Sequence, residues 1–311
     1  MQFKKLSYKF KSAFHSLRRF FTIDRELDLI KINQGLILST INSSKRYSHL
    51  SDYEFKIFSQ WGEDGIIQHL TQNIEIKNKT FIEFGVEDFL ESNCRFLLQK
   101  DNWYGYVIDG SSRNIQKIKD SYFYWKHSLN ALCSFITRDN IDQLLSMSGF
   151  DKDLGILSVD IDGVDYFVLE KLSDWTPRVL IVEYNAIFGI SRAVSVPYSS
   201  TFVRAEAHYS NLYYGASLPA FVHLANNMNM ALVGVNSTGS NAFFVRRDLL
   251  NENVGEVSIN DCFVRAKFRE GRDRDGSLSC QSGGQDLSSI MQLPLVDVIS
   301  QENLRFFDVH V

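Results

Sequence analysis

The spacing of apolar residues divides the chain into a helical beginning and a longer alternation of strands and helices. Within residues 1–22, large apolar side chains recur every three or four positions, which places them on one face of an α-helix: Phe3, Leu6, Phe10, Phe14, Leu17 and Phe21. Residues 25–50 predict a second, less regular helix followed by a polar connector. We therefore expect a helical extension over residues 1–50 and a larger domain over residues 51–311.

From residue 51 onward, short apolar runs alternate with helical stretches. Five of these runs are typical of buried strands: Thr80–Phe84, Tyr104–Ile108, Ser128–Ile136, Gly155–Ile161 and Val179–Tyr184. Helices between them predict parallel pairing and burial on both faces. Two further runs, Met230–Val235 and Ala242–Val245, lie on either side of a polar turn and predict an antiparallel hairpin. The predicted fold is α/β, a doubly wound and mostly parallel seven-strand sheet with an antiparallel terminal hairpin.

Composition excludes several classes of protein. The 311 residues are 44% apolar and 23% charged, as in a folded globular protein rather than a disordered one. A net charge of -4 argues against a nucleic-acid partner. No run reaches the ~20 apolar residues of a membrane-spanning helix. The cysteines are scattered without a CxxC pair, which argues against a structural zinc site and favours a reducing, cytoplasmic compartment: Cys94, Cys133, Cys262 and Cys280.

The first 22 residues carry only positive formal charges, and the first acid in the chain is Asp24. The basic residues are Lys4, Lys5, Lys9, Lys11, Arg18 and Arg19. A basic amphipathic helix of this kind can pack on its own domain or on a second copy of the chain, or it can lie on an anionic membrane surface. The sequence leaves three hypotheses open for residues 1–22: intramolecular packing, a homo-oligomer, and peripheral contact with the inner face of a membrane.

Acidic residues follow the carboxyl ends of four predicted strands. In an open parallel sheet, ligands bind beyond those ends. A turn or a helix cap explains any single acid, but four strand ends in a series favour a binding site. The strand-end residues are Glu83 and Gly85, then Asp109 and Gly110, then Asp160 and Asp162, then Glu183 and Asn185. Carboxylates complement a cationic ligand such as the sulfonium of S-adenosylmethionine, and the GxGxxG motif of nicotinamide and flavin sites is missing.

Four motifs resemble those of class I S-adenosylmethionine-dependent methyltransferases, specifically the FkbM-type group. They are IEFG at 82–85, YVIDG at 106–110, LSVDIDGVDYFVLEKL at 157–172 and PRVLIVEYN at 177–185. The third is similar to the signature K-I-D-x-E-G-x-E-x-x-V-L, with Ser158 in place of the lysine and Asp162 and Asp165 in place of the two glutamates. The resemblance spans residues 59–246. It implies a seven-strand sheet with an antiparallel last strand, and methylation of hydroxyl groups, often on sugars or secondary metabolites.

The resemblance also implies roles for residues at the strand ends. Glu83 and Gly85 would border the methionine part of the cofactor. Asp109, followed by Gly110, would hold its ribose, and Asp160 would lie near the reactive methyl group.

Two stretches outside the strand ends offer further cofactor contacts. Gln60 and Glu63 could reach the amino group of the methionine part, and Asn93 its carboxylate. The alternative for the first stretch is a helix capped by Ser59 with Glu63 in its first turn. The alternative for Asn93 is the beginning of another helix.

Transfer of a methyl group to a hydroxyl requires a base within ~3 Å of that hydroxyl. The candidates are Asp160, Glu183 and His208, although an ordinary surface or core position is the favoured interpretation of His208. His208 lies in an aromatic insertion around residues 186–225, which we expect to cover the substrate pocket. An alternative is a bound Mg²⁺ or Ca²⁺ that lowers the pKa of a substrate hydroxyl, because these ions prefer oxygen ligands. Its ligands would be Asp160, Asp162, Glu183 and Asn185.

Two further groups could contact the acceptor. Aromatic rings of Tyr198, Tyr213 and Tyr214 could stack on sugars, or pack in the core. In a C-terminal appendage over residues 251–311, Arg269 or Arg272 could bind an acidic group, or belong to a solvated loop.

The sequence thus favours an O-methyltransferase for a small-molecule or glycan acceptor in surface-polysaccharide or secondary-metabolite biosynthesis. The alternatives are N-methylation or methylation of another small metabolite, a nicotinamide-dependent oxidoreductase, and a non-catalytic assembly module with the same fold.

Overall fold

The computed structural model describes residues 2–267, 271–279 and 287–310, and it describes side chains from residue 23 to residue 309 within those ranges. No helix in this described part of the chain combines the length and apolar content needed to cross a lipid bilayer. Arg269 and Cys280, which the sequence analysis singled out, lie outside the described residues.

A single long helix, α1, occupies Gln2–Ser43, where the sequence predicted two helices. No proline interrupts this stretch, so nothing in the chain forces the helix to end near residue 24. Gly35 lies inside the helix although glycine weakens helices. A Cβ at Gly35 would lie 2.4 Å from the ring of Phe96, so only glycine allows this close approach of the helix to the domain.

The strands lie close to their predicted positions. Their bounds are β1 Thr80–Phe84, β2 Tyr104–Asp109, β3 Leu129–Cys133, β4 Ile156–Val159, β5 Val179–Glu183, β6 Val194–Ser195, β7 Met230–Val235, β8 Asn241–Arg246, β9 Pro294–Asp297 and β10 Asn303–Arg305. The main sheet has the order β3-β2-β1-β4-β5-β8-β7. Strands β1 to β5 pair in parallel, and β8 runs antiparallel to both β5 and β7. The predicted mixed seven-strand sheet and its hairpin are therefore confirmed.

Helices follow most of the strands. Their bounds are α2 Glu63–Asn73, α3 Arg95–Asp101, α4 Ser112–Asp120, α5 Tyr122–Lys126, α6 Ile141–Ser146, α7 Asp165–Leu169, α8 Arg204–Ala207, α9 Leu218–Asn227, α10 Ile259–Cys262 and α11 Phe307–His310. Apolar clusters cover both faces of the main sheet, with Ile82 of β1 in one cluster and its neighbour Phe81 in the other. Burial on both faces explains why the strands are continuously apolar rather than alternating.

A second, smaller sheet joins the C-terminal region to the aromatic insertion. Its order is β10-β9-β6, with both pairs antiparallel. The Tyr213 hydroxyl of the insertion donates to the carbonyl of Pro294 in β9. The insertion is therefore held against the C-terminal region beside the carboxyl ends of the main strands.

Candidate functional site

A cleft lies at the carboxyl ends of β1, β2, β4 and β5, where the sequence predicted a binding site. It consists of one cavity of about 210 Å³ on the β2 side and another of about 220 Å³ on the β5 side. Four lining residues are common to both cavities, namely Gly85, Glu87, Asp160 and Asp162. The two cavities are therefore adjoining parts of one cleft.

Gly85 forms the turn after β1 with a φ of +66°, a conformation that side chains disfavour. A Cβ at this position would lie 1.6 Å from the backbone oxygen of Asp160 at the end of β4. No other residue fits this turn without moving one of the two strands. The absence of a side chain also leaves backbone exposed to the cleft.

The carboxylate of Asp109 connects the loops after β1 and β2. Its Oδ2 accepts the backbone N–H of Glu87 at 2.9 Å, and its Oδ1 accepts that of Ser111 at 2.7 Å. Ser111 in turn caps α4 through the backbone N–H of Asn114. Asp109 and Gly110 both line the β2-side cavity, and carboxylate oxygens have lone pairs beyond these two bonds. The structure therefore presents Asp109 in a fixed position toward the cleft.

Glu83 fixes the loop that leads into α3. Its carboxylate accepts the Ser92 hydroxyl at 2.7 Å and the backbone N–H groups of Asn93 and Cys94 at 2.8 and 3.2 Å. Burial raises the pKa of Glu83, and these hydrogen bonds oppose that rise. The Asn93 amide donates to the Ser158 hydroxyl at 3.1 Å. Glu83 and Asn93 both line the β5-side cavity.

The loop before α2 places Gln60 and Glu63 differently. Gln60 is exposed and lines the β5-side cavity. Glu63 is fully buried and does not line either cavity, because its carboxylate accepts four hydrogen bonds inside the protein. The donors are the backbone N–H groups of Trp61 and Gly62 and the side-chain amides of Asn236 and Asn241. Glu63 thus joins α2 to the β7–β8 hairpin.

The beginning of α2 also differs from the sequence analysis. The helix begins at Glu63 with Gly62 at the N-cap, rather than with Ser59 in that place. Ser59 still contributes, because its hydroxyl accepts the backbone N–H of Asp64 in the first turn. The Asp64 carboxylate in turn accepts hydrogen bonds from the backbone N–H groups of residues 57, 58 and 59, in the loop that precedes α2.

Asp160 and Glu183 form a hydrogen-bonded pair of carboxyl groups at the centre of the cleft. Their oxygens and one of Asp162 all lie within 4.8 Å of one another. Burial, followed by the charges of the neighbouring acids, raises the pKa of both Asp160 and Glu183 well above the usual range of a carboxyl. The Tyr214 hydroxyl donates to Glu183 Oε1 at 3.3 Å. Asp160 and Glu183 therefore each hold a proton more tightly than an ordinary carboxyl does.

Arg204 from the insertion lies over this acidic cluster. Its guanidinium forms an ion pair with Asp162 and lies 3.7 Å from the ring centre of Tyr214. The loop that carries Asp162 is fixed by buried Asp165, which accepts the backbone N–H groups of Ile161 and Gly163 at 2.8 and 3.0 Å. Burial raises the pKa of Asp165 to about 6.

Two predicted site residues lie elsewhere. The Asn185 side chain is buried, where its amide donates to the carbonyls of Leu212 and Tyr214 at 3.0 Å each. It therefore orients the insertion, and its Oδ1 accepts the backbone N–H of Ile187 at 3.1 Å, whereas the other three predicted metal ligands are clustered. His208 lines neither cavity, and its Nδ1 lies 2.8 Å from the Ser210 hydroxyl. Partial burial, followed by the charge of Arg274, lowers the pKa of His208.

Of the other residues proposed to contact the acceptor, some lie at the cleft and others lie away from it. Tyr214 lies at the cluster, whereas the Tyr198 hydroxyl accepts the backbone N–H of Arg138 at 3.1 Å. Tyr213 holds the C-terminal region, as described above. The backbone N–H of Arg272 donates to the carbonyl of Ser210 at 3.0 Å.

Sequence reasoning missed several lining residues, among them Phe135, Ile136, Phe202 and Arg204. The first two follow β3 and could have been found by extending the strand-end argument to that strand. Phe202 and Arg204 come from the insertion, more than forty positions after Asp160 in the sequence, and no local pattern relates them to the cleft.

Comparison with known proteins gives results only at the level of structure. No protein-family profile matches the chain, and no curated protein matches it. Similar solved structures include PKMT2 from Rickettsia typhi in complex with AdoHcy, at 11% identity and a TM-score of 0.39 over 62% of this chain and 54% of that chain. An S-adenosylmethionine-dependent methyltransferase from Clostridium acetobutylicum is 9% identical, with a TM-score of 0.37 over 66% of this chain and 92% of that chain.

An O-methyltransferase family protein from Burkholderia thailandensis is 9% identical, with a TM-score of 0.36 over 59% of this chain and 57% of that chain. This chain therefore spans little more than half of the Burkholderia and Rickettsia proteins. The architecture seen in this chain is a mixed, mostly parallel seven-strand sheet flanked by helices.

Proposed function

We propose that this chain is an S-adenosylmethionine-dependent methyltransferase of the FkbM-type group that methylates a hydroxyl on a sugar or glycan precursor. One observation carries the proposal. Asp109 and a hydrogen-bonded pair of acids, Asp160 and Glu183, line adjoining cavities at the carboxyl ends of the strands, on either side of Gly85. A donor bound beside Asp109 would thus direct its reacting end toward a proton acceptor.

The β2-side cavity suits the adenosine part of the donor. Asp109 offers carboxylate oxygens to the ribose hydroxyls, and Phe135 and Ile136 provide an apolar wall for the base. The β5-side cavity contains Gln60, Glu83 and Asn93, which offer polar atoms to the amino and carboxylate groups of the methionine part. When bound, the donor supplies an electrophilic methyl group on a positively charged sulfur.

The Asp160–Glu183 pair is the proposed base. In its working form the pair is ionised, and one of its carboxylate oxygens would accept the proton of the acceptor hydroxyl while the hydroxyl oxygen of the acceptor attacks the methyl carbon. The new O–C bond forms as the C–S bond breaks. Burial of the pair raises its proton affinity, which strengthens it as a base and requires a higher pH to ionise it.

The sugar class of the acceptor and a role in polysaccharide or secondary-metabolite synthesis follow from the motif resemblance, and the cytoplasmic compartment follows from the scattered cysteines. Transfer to nitrogen is the alternative within the same reaction class. A hydroxyl acceptor fits this cleft better because an alcohol must lose its proton during attack, whereas a neutral amine attacks with its lone pair.

Calorimetry with S-adenosylmethionine, S-adenosylhomocysteine and NAD tests the proposal. We expect both sulfur compounds to bind and NAD not to bind. Asp109→Asn should weaken binding of both sulfur ligands by about tenfold or more, because it replaces a carboxylate oxygen facing the ribose. Asp174→Asn, at an exposed ion pair with Lys152, is the matched control and should bind normally. Binding of NAD alone would indicate an oxidoreductase, and binding of none would indicate an assembly module.

A further inference from the structure

The face of α1 that points away from the domain carries an exposed apolar seam. Its residues alternate at spacings of four and three, which is the heptad pattern of a coiled coil. They are Ile23, Leu27, Ile30, Gln34, Ile37 and Ile41, and all are exposed. Ile30 and Ile37 expose 63% and 62% of their surface. Aliphatic side chains this exposed along one line of a helix indicate an interaction surface.

The opposite face of α1 packs on the domain. The Asp28 carboxylate accepts hydrogen bonds from the Arg95 guanidinium at 2.6 Å and from the Tyr122 hydroxyl at 2.5 Å. Further along the same helix, the Ser39 hydroxyl accepts a hydrogen bond from the Gln72 amide at 2.8 Å. The Asn42 amide donates to the backbone carbonyl of residue 53 at 2.7 Å. With the seam at heptad positions a and d, the domain-facing residues fall at b and f. The domain therefore fixes the helix and leaves the seam uncovered within the described residues.

We propose that a second copy of this chain covers the seam, and that the two α1 helices pair as a parallel coiled coil. The charges beside the seam support this occupant. Glu26 occupies a g position and Lys31 the e position five residues later. In a parallel pair, g of one helix faces this e position of the other. Each Glu26 thus faces a Lys31 of the other copy, and two-fold symmetry repeats the pair.

The composition of the seam favours a second copy over a lipid surface. A helix that lies on an anionic membrane is flanked by lysine and arginine. The described seam instead has acids as well as a base beside it, namely Asp24, Glu26 and Lys31, and it is interrupted by Gln34 at its centre. A single polar residue in an aliphatic seam is a known device for setting the register of a coiled coil. Because the domain already holds each helix, pairing requires little further ordering.

Sedimentation equilibrium of the full chain tests the proposal. We expect the wild-type chain to be a dimer at micromolar concentration and the double variant Ile30→Glu/Ile37→Glu to be a monomer. The variant should raise the dissociation constant of the dimer by about a hundredfold or more, because it places charges in the seam. Ile299→Glu, which alters an equally exposed isoleucine elsewhere, is the control and should remain dimeric. A monomeric wild-type chain, or a dimer that the seam variants do not affect, would overturn the proposal.

Two further experiments establish the identity and orientation of the occupant. Glu26→Lys and Lys31→Glu should each weaken the dimer, and the double variant should recover it, because only the combination restores opposite charges. Leu27→Cys should form a disulfide between copies under oxidation, since only a parallel in-register pair brings position 27 of both chains together. A monomer that binds phosphatidylserine vesicles through Ile30 and Ile37 would contradict the proposal and favour a membrane. The inference is independent of the proposed function.

Discussion

At the scale of single residues, a few groups hold the cleft in its shape, and their surroundings do not accommodate other side chains. Gly85 allows β1 and β4 to end side by side, and Asp109 and Glu83 hold the two loops that border the cavities. Buried acids with raised pKa, including Asp64 and Asp165, make part of this arrangement sensitive to pH.

Gly85→Ala should destabilise the protein and abolish binding of S-adenosylhomocysteine. A Cβ would overlap the backbone of Asp160, and alanine disfavours the left-handed turn, so we expect the free energy of unfolding to fall by roughly 3 kcal/mol or more. Urea unfolding and calorimetry measure the two effects. Gly255→Ala is the control, because nothing lies within 4 Å of a Cβ at that position. Equal stability of the two variants would contradict the geometry of this turn.

Turnover should rise with pH as the Asp160–Glu183 pair ionises. Because burial raises both pKa values, the inactive protonated form persists above the pH at which an ordinary carboxyl ionises. Asp160→Asn should lower kcat by about a hundredfold or more and leave the Kd of S-adenosylhomocysteine within about threefold. A pH–rate profile and calorimetry check this. A flat profile, or a variant that loses cofactor affinity but keeps kcat, would show that the roles are assigned wrongly.

Asp64→Asn should gain stability relative to the wild type as pH rises. The wild-type Oδ2 accepts four hydrogen bonds, whereas buried Oδ1 has no partner in the structure, so an amide can replace the carboxylate. Burial raises the pKa of Asp64 from 3.8 to about 6.

This group's contribution to wild-type stability is full below pH ~4 and is lost as pH rises through about 6, because the folded state binds the proton more tightly. The difference in unfolding free energy between Asp64→Asn and the wild type should therefore move by about 3 kcal/mol in favour of the variant between pH 4 and 7. Urea unfolding at several pH values measures it. A difference that stays constant with pH would show that Asp64 titrates normally.

At the scale of elements, one buried ion pair contributes to the attachment of α1 to the domain. Arg95 of α3 meets Asp28 of α1, and its guanidinium lies 4.2 Å from the ring centre of Phe58 and 4.6 Å from that of Phe123. The charge is thus enclosed by aromatic rings and has Asp28 as its carboxylate partner. Burial lowers the pKa of Arg95, and Asp28 opposes that change.

Asp28→Ala should lower the free energy of unfolding by about 3 kcal/mol, because it leaves the Arg95 charge buried without its carboxylate. Urea unfolding at one fixed protein concentration measures the loss. The double variant Asp28→Leu/Arg95→Met should recover much of it, since two apolar side chains need no partner. Glu252→Ala breaks an exposed ion pair with Arg46 and should cost less than about 1 kcal/mol. Equal costs for the two alanine variants would argue against a buried pair.

At the scale of the whole molecule, the acidic cluster joins β4, β5 and the insertion through Arg204. The guanidinium forms an ion pair with Asp162, and the raised pKa values of Asp160 and Glu183 favour their uncharged forms, so the cluster holds less negative charge than the sequence suggests. We therefore expect turnover to be the same after EDTA treatment and after addition of Mg²⁺ or Ca²⁺. Loss of turnover in EDTA that Mg²⁺ restores would instead support the metal alternative.

Particular residues show how far the sequence could be interpreted. The bounds of β1 and β7 match the predicted runs, because continuous apolar stretches bounded by turn residues are a local signal. The position of Glu63 could not be predicted in this way. Its four hydrogen-bond donors include Asn236 and Asn241, which only the folded hairpin brings near it.

The chain's own order of residues thus determined which segments are strands, which class of fold they form and which acids end those strands, since each of these depends on neighbours along the backbone. Tertiary structure alone decided that Asp160 and Glu183 form a pair, that Arg204 and Tyr214 reach them from the insertion, and that Asn185 and His208 are directed elsewhere. It also decided which face of α1 meets the domain and which is exposed. The physical reason is that hydrophobic burial is specified locally, whereas the partner of a polar side chain depends on which distant segments approach it.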